Sequence, residues 1–123
     1  MGLYRTVIAY EDYFEVFLNE QSPKVQAKIL QILRVIERLE VIPGNYLKSI
    51  KGSDGLFEIR VSFGSDIFRV FCFFDEGKII VLLSGFKKKS KKTPKKEIEK
   101  AKALMKQYYS EKNENNNTVS IGR

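Results

Sequence analysis

The sequence predicts a single α+β domain, and three observations carry that prediction. Between Leu56 and Phe86, three apolar-rich stretches are separated by two short Gly-bearing turns, the pattern of an antiparallel meander. Two hydroxyl-proline pairs, Ser22-Pro23 and Thr93-Pro94, each open a stretch with apolar residues at helical spacing. The length, 123 residues, fits one domain, and a content of 43% apolar with 30% charged residues is globular rather than disordered.

The elements follow in order. Tyr4 to Tyr10 (YRTVIAY) is β-branched and aromatic, which suits a short strand. Glu11 to Asn19 has Tyr13, Phe14, Phe17 and Leu18 at helical spacing, with acids at its start where the helix dipole favours them. Ser22 as N-cap and Pro23 at the first helical position open a second helix that runs to about Glu40. Its apolar stripe is Val25, Ile29, Ile32 or Leu33, Ile36 and Leu39. The two helices are expected to pack as an antiparallel hairpin.

Tyr46 to Gly55 reads as a polar connection. Leu56 to Phe63 then alternates, with Phe57, Ile59, Val61 and Phe63 pointing one way and Glu58, Arg60 and Ser62 the other. Gly64-Ser65-Asp66 and Asp75-Glu76-Gly77 are the hairpin turns around the second strand, Ile67 to Phe74. Lys78 to Phe86 is the third strand of the meander. After Thr93-Pro94, a C-terminal helix carries Ile98, Ala101, Leu104 or Met105, and Tyr108. Ser110 to Arg123 is polar, with four Asn, and reads as a disordered tail outside the domain of residues 1–109. The expected order is β-α-α-β-β-β-α, with helices covering one face of a small, mainly antiparallel sheet and the other face partly open.

Composition narrows the chemistry. There is one cysteine, Cys72, and no histidine, which excludes an intramolecular disulfide, a Ser-His-Asp triad and any His-ligated metal site. No secretory signal pattern or membrane-length apolar run occurs, so an intracellular, cytoplasmic protein is expected. Charge is uneven: Ser84 to Lys112 carries +8, and the other 94 residues carry −1. The positive run Lys87, Lys88, Lys89, Lys91, Lys92, Lys95 and Lys96 follows a strand and precedes a helix, so it is a structured rim that suits a polyanion.

Two cations lie within the strands. Arg60 is on the polar side of its strand near Glu58, and Arg69 stands among Phe68, Val70 and Phe71. An unpaired buried charge is costly, so these arginines either pair with Glu58 or project into a concave face and hold phosphates. The short turn at Gly64 places them near each other on paired strands, with Lys87 and Lys88 at the end of the next strand. Phe86, directly before the lysines, is a candidate for stacking on a base. Gly85 suits either a bulge or close approach to a phosphate.

An ordered set of residues carries a family resemblance. It comprises Lys48, Gly55-Leu56-Phe57-Glu58-Ile59-Arg60-Val61, Phe68-Arg69-Val70-Phe71, Ile80-Val81-Leu82-Leu83, Gly85-Phe86-Lys87-Lys88-Lys89, Thr93-Pro94, Glu97-Ile98 and Ala101. Over roughly Tyr4 to Tyr109 the chain resembles the RelE-like mRNA interferases of type II toxin–antitoxin modules, in their HigB-like, phage-derived branch. The resemblance implies a RelE-like fold. It also implies a cytoplasmic toxin that cleaves mRNA on the ribosome and is neutralised by a cognate antitoxin with a helix-turn-helix DNA-binding domain. In such enzymes the ribose 2′-OH attacks the adjacent phosphate, with no metal or other cofactor. By matching positions, Arg60 and Arg69 would stabilise the reacting phosphate, and Lys87 or Lys88 would share that task or protonate the leaving oxygen. Glu58 is a candidate base, as is a lysine of lowered pKa. Lys48, Lys51, Lys89, Lys91 and Lys92 would contact RNA, with Phe86. The stretch Ser90 to Lys96 lacks the Tyr or His that such enzymes often carry there. The residues alone equally allow a basic module that binds RNA or DNA without cutting it, or a basic face that docks an acidic partner.

Overall fold

The computed structural model describes residues 2–121, with side chains through residue 114. Its elements are β1 (Thr6–Ala9), α1 (Tyr13–Asn19), α2 (Pro23–Arg38), β2 (Leu47–Ser49), β3 (Phe57–Phe63), β4 (Asp66–Asp75), β5 (Ile79–Lys88) and α3 (Lys95–Ile121). They form an α+β fold with one five-stranded sheet in the order β1-β5-β4-β3-β2. The meander β3-β4-β5 is antiparallel, β2 extends it antiparallel at one edge, and β1 pairs parallel with β5 at the other.

Local chemistry explains the turns. Gly64, at φ +61, is the first residue of the two-residue loop between β3 and β4, where a type II′ turn asks for glycine. Glu76 and Gly77 both have positive φ in the three-residue loop between β4 and β5. Ser22 Oγ accepts from Val25 N at 3.3 Å, so the expected cap of α2 is present with Pro23 at its first position. At the other end of α2, Arg5 donates to the carbonyls of Ile36, Leu39 and Glu40 at 2.5–2.7 Å, satisfying acceptors left over at the helix end.

The sheet is packed on both faces, which corrects the expectation of helices on one face. Helices α1 and α2 supply Phe14, Phe17, Val25, Ile29, Ile32 and Ile36 against Ile59, Val61, Phe68, Val70, Cys72, Ile80 and Leu82. Helix α3 lays Ala101, Leu104 and Met105 on the opposite face, against Leu56, Phe71, Phe73, Val81 and Leu83. Strand alternation decides this: β4 and β5 are apolar on both sides, so both need cover. Cys72 is fully buried, and burial pushes its thiol pKa upward.

Two further expectations change. The connection Tyr46–Gly55 contains β2, a strand of three residues, too short to show alternation in sequence. Helix α3 does not stop where composition changes at Ser110. Glu111 accepts from Tyr10 Oη at 2.8 Å, and Lys112 Nζ donates to Asp75 Oδ2 at 2.8 Å, so this part of the expected tail is tied to the domain. Gly122 and Arg123, the end of that tail, lie outside the described residues.

Candidate anion site on the sheet

Register builds the site. Arg60 on β3 is the direct cross-strand partner of Arg69 on β4, and Arg69 is the partner of Phe86 on β5. One row back, Lys48 on β2 faces Glu58. Side chains two apart share a face, so Lys48, Glu58, Arg60, Arg69 and Phe86 all lie on the α3 side of the sheet. Helix α3 covers the Phe71–Phe73 end of that face, and Lys89 to Lys91, in the crossover that leads into α3, line the rest beside Arg60 and Arg69.

A bulge brings in the lysine. Val70 pairs with Gly85 and Cys72 with Leu82, so Leu83 and Ser84 together oppose Phe71. Beyond the extra residue, every side chain of β5 changes face relative to an unbroken strand. Phe86 and Lys88 therefore join Arg69, while Lys87 turns to the other side. Lys87 Nζ pairs there with Asp66 Oδ1 at 3.4 Å, with about half of its side chain exposed. The sequence left Lys87 and Lys88 as equals, and the bulge separates Lys87 from the group. Ser84, buried in the bulge, has an Oγ without a hydrogen-bond partner among the described residues. Gly85 serves packing rather than a phosphate: a Cβ there would stand 2.6 Å from the Phe17 ring.

The five candidates for chemistry are not alike. Arg69 is 3% exposed, donates from Nε to Glu58 Oε2 at 3.0 Å, and donates from Nη1 to the Phe68 carbonyl at 3.2 Å. Burial lowers its pKa, opposed by the neighbouring Glu58 charge. Glu58 is buried, and its second oxygen, Oε1, accepts from Thr93 Oγ1 at 3.3 Å. Both carboxylate oxygens are thus engaged, which leaves Glu58 ill suited to the base role expected of it. Arg60 is half-buried and has no carboxylate within ion-pair distance among the described residues. Lys88 is half-buried too, and its pKa is lowered, first by burial and then by the Arg69 charge.

Arg60, Arg69, Lys88, Lys89 and Lys91 line an open depression of about 510 Å³. Size does not single it out, since a cleft of about 690 Å³ lies beside Leu3, Tyr4 and Arg38. Its charge does: cations from β3, β4, β5 and the crossover converge there, and the one carboxylate of the cluster, Glu58, is already paired. Lys48 is exposed on the adjoining edge strand, Lys51 is exposed in the following turn, and Lys92 is exposed on the crossover outside the depression. Phe86 is half-buried and stacks on Phe71 with centroids 5.6 Å apart, so one ring face is already occupied. Thr93 stands in the sequence reading only as half of a helix-start pair, and its hydroxyl reaches Glu58 instead.

Comparison with known proteins adds kinship to this geometry. Residues 16–106 match the model of the family described as Phage derived protein Gp49-like. The chain belongs to that family. The Gp49-like chain has a RelE-like fold: it aligns with RelE in the crystal structure of the archaeal RelE–RelB complex from Pyrococcus horikoshii OT3 at a TM-score of 0.50. That alignment covers 67% of this chain and 92% of the other at 18% identity, a likeness of fold. A comparison with curated proteins finds no match. Among the described residues of this Gp49-like protein, no helix is long and apolar enough to cross a membrane.

Proposed function

We propose that this protein is the toxin of a type II toxin–antitoxin module, a HigB-like endoribonuclease that cuts mRNA on the ribosome in the cytoplasm. The observation that carries the reading is the convergence of Arg60, Arg69 and Lys88 on one open face of a RelE-like sheet. The 2′ oxygen bonds to the adjacent phosphorus and gives up its proton to water, the P–O5′ bond breaks with its electron pair going to O5′, and O5′ takes a proton. The products are a cyclic phosphate and a free 5′-OH. Preorganised cations stabilise the charge that develops on the phosphate oxygens, the task of Arg60 and Arg69. Lys88, with its lowered pKa, delivers the proton to O5′. Lys48, Lys51, Lys89, Lys91, Lys92 and the free side of Phe86 hold RNA. A cognate antitoxin with a helix-turn-helix domain covers this basic surface, and no metal has a role.

One observation favours a second reading. With Glu58 engaged through both oxygens, the cluster holds no free carboxylate to take the 2′ proton. A non-catalytic module that binds RNA or DNA through the same cations needs none.

The test is induced expression in a bacterial host, wild type beside Arg60→Ala, with mapping of new 5′ ends in cellular mRNA. Growth arrest with cuts inside reading frames, absent in the variant, is the expected result. Normal growth and intact mRNA with soluble protein would overturn the nuclease and leave the binding module.

A further inference from the structure

Two proline-led helices are preceded by hydroxyl residues that are used differently. Ser22 Oγ caps α2 by accepting from Val25 N. Thr93 Oγ1 instead donates to Glu58 Oε1, 35 residues earlier in the chain, and α3 begins only at Lys95. Glu58 Oε2 in turn accepts from Arg69 Nε. Two hydrogen bonds thus join the crossover to the middle of the sheet through a carboxylate that is 8% exposed.

The crossover needs such an anchor. Lys87 to Lys92 reads KKKSKK and has no apolar side chain to bury. Its lysines repel one another and the arginine pair beneath them. Ser90 Oγ donates to the Lys92 carbonyl at 2.9 Å, which tightens the crossover internally but does not fasten it to the sheet. The Thr93 hydroxyl is the side-chain link that fastens it among the described residues. Lys89 and Lys91 reach the depression from this segment.

We propose that Thr93 and Glu58 are positioning residues: the Thr93–Glu58–Arg69 chain holds the crossover down so that Lys89 and Lys91 complete the anion site begun by Arg60 and Lys88. The ligand class is the phosphodiester backbone of single-stranded RNA, and in this the inference rests on the functional reading above. Threonine is therefore present for its hydroxyl at the site rather than as a helix cap.

The test uses the full chain and a labelled single-stranded RNA oligonucleotide, with affinity measured over a range of salt concentrations. Thr93→Val keeps the shape of a half-buried side chain and removes the hydroxyl. Two lysines that lose their phosphates should flatten the slope of log K against log salt by about 1.4, at roughly 0.7 per contact. Affinity should fall about tenfold, and Thr93→Ser should restore both. In a Lys89→Ala/Lys91→Ala background, adding Thr93→Val should change nothing further, because its effect passes through those lysines. An unchanged slope in Thr93→Val, or an equal loss in both backgrounds, would overturn the tether while leaving RNA binding intact. A wild type that does not bind the RNA would sink the functional reading and the tether with it.

Discussion

Arg60 and Arg69 face each other across two strands, yet they ask for different experiments. Arg69→Ala leaves Glu58 buried without its cation, and breaking such a pair costs about 3–5 kcal/mol. Denaturant unfolding should register that loss, so absence of activity in this variant would be ambiguous. Arg60→Ala removes a half-buried cation whose direct neighbour has the same sign, and its stability should stay within about 0.5 kcal/mol of wild type. A large destabilisation by Arg60→Ala would mean that Arg60 has a structural partner. At Gly85, alanine would drive a Cβ into the Phe17 ring, and a loss of about 1–3 kcal/mol in the same measurement is expected. The sequence made the arginines, Glu58 and the lysines visible as types. It could not say that Glu58 is shared by Arg69 and Thr93, because that sharing depends on a crossover whose path no periodicity records.

Among elements, the bulge in β5 decides which lysine matters. Lys88→Ala should weaken RNA binding several-fold, whereas Lys87→Ala, across the sheet and paired with Asp66, should change it little. Equal losses in a binding assay would contradict the register. The meander and the Ser22-Pro23 helix start were legible, since alternation and cap chemistry are local, whereas Thr93-Pro94 marked a helix start whose hydroxyl does not cap it. The bulge was legible only as one of two readings of Gly85, because one extra residue leaves an apolar strand looking the same in sequence, and pairing with β4 decides for it. The far end of α3 leaves no apolar signal for a related reason, because its anchor at Glu111 and Lys112 is polar. Tyr108 donates to Asp75 at 2.6 Å beside Lys112, and Tyr10 reaches Glu111. Burial, then the carboxylate partners, push the pKa values of Tyr10 and Tyr108 up to about 12 each. Unfolded tyrosine ionises near 10, so this contribution is complete below about pH 10 and is lost as pH rises toward 12. Burial alone would raise the Asp75 pKa, but hydrogen bonds from Lys112 and Tyr108 outweigh it and lower it overall. Its contribution is present above about pH 4 and disappears as pH falls through the lowered value. Melting midpoints followed by circular dichroism from pH 8 to 12 should fall, and Tyr108→Phe should shrink the alkaline drop.

For the whole molecule, the separation of charge is the main fact. The segment from Ser84 to Lys112 carries +8 and supplies one strand end, one crossover and the exposed side of α3. Binding to single-stranded RNA through about four phosphates should give a log K against log salt slope of about −3. A flat response would exclude a nucleic-acid backbone as the ligand. The charge asymmetry could be read from composition, and the α+β class from the order of elements. The two-sided packing could not, because a C-terminal amphipathic helix fits either face of a sheet until the alternation of β4 and β5 is set against a partner.

The parallel pairing of β1 with β5 sets an order of assembly. Thr6 waits for Ile79 and Ala9 for Leu82, and Tyr10 then meets Glu111, 101 residues away. At roughly 5–20 residues per second of synthesis, β1 has no partner strand for several seconds. Loop-closure entropy favours the local meander as the first structure to form, with β1 closing the sheet afterwards. Pulse-labelled hydrogen exchange during refolding should show β3 and β4 amides protected before those of β1. A nascent chain would thus gather its arginines early and seal its N-terminal strand last.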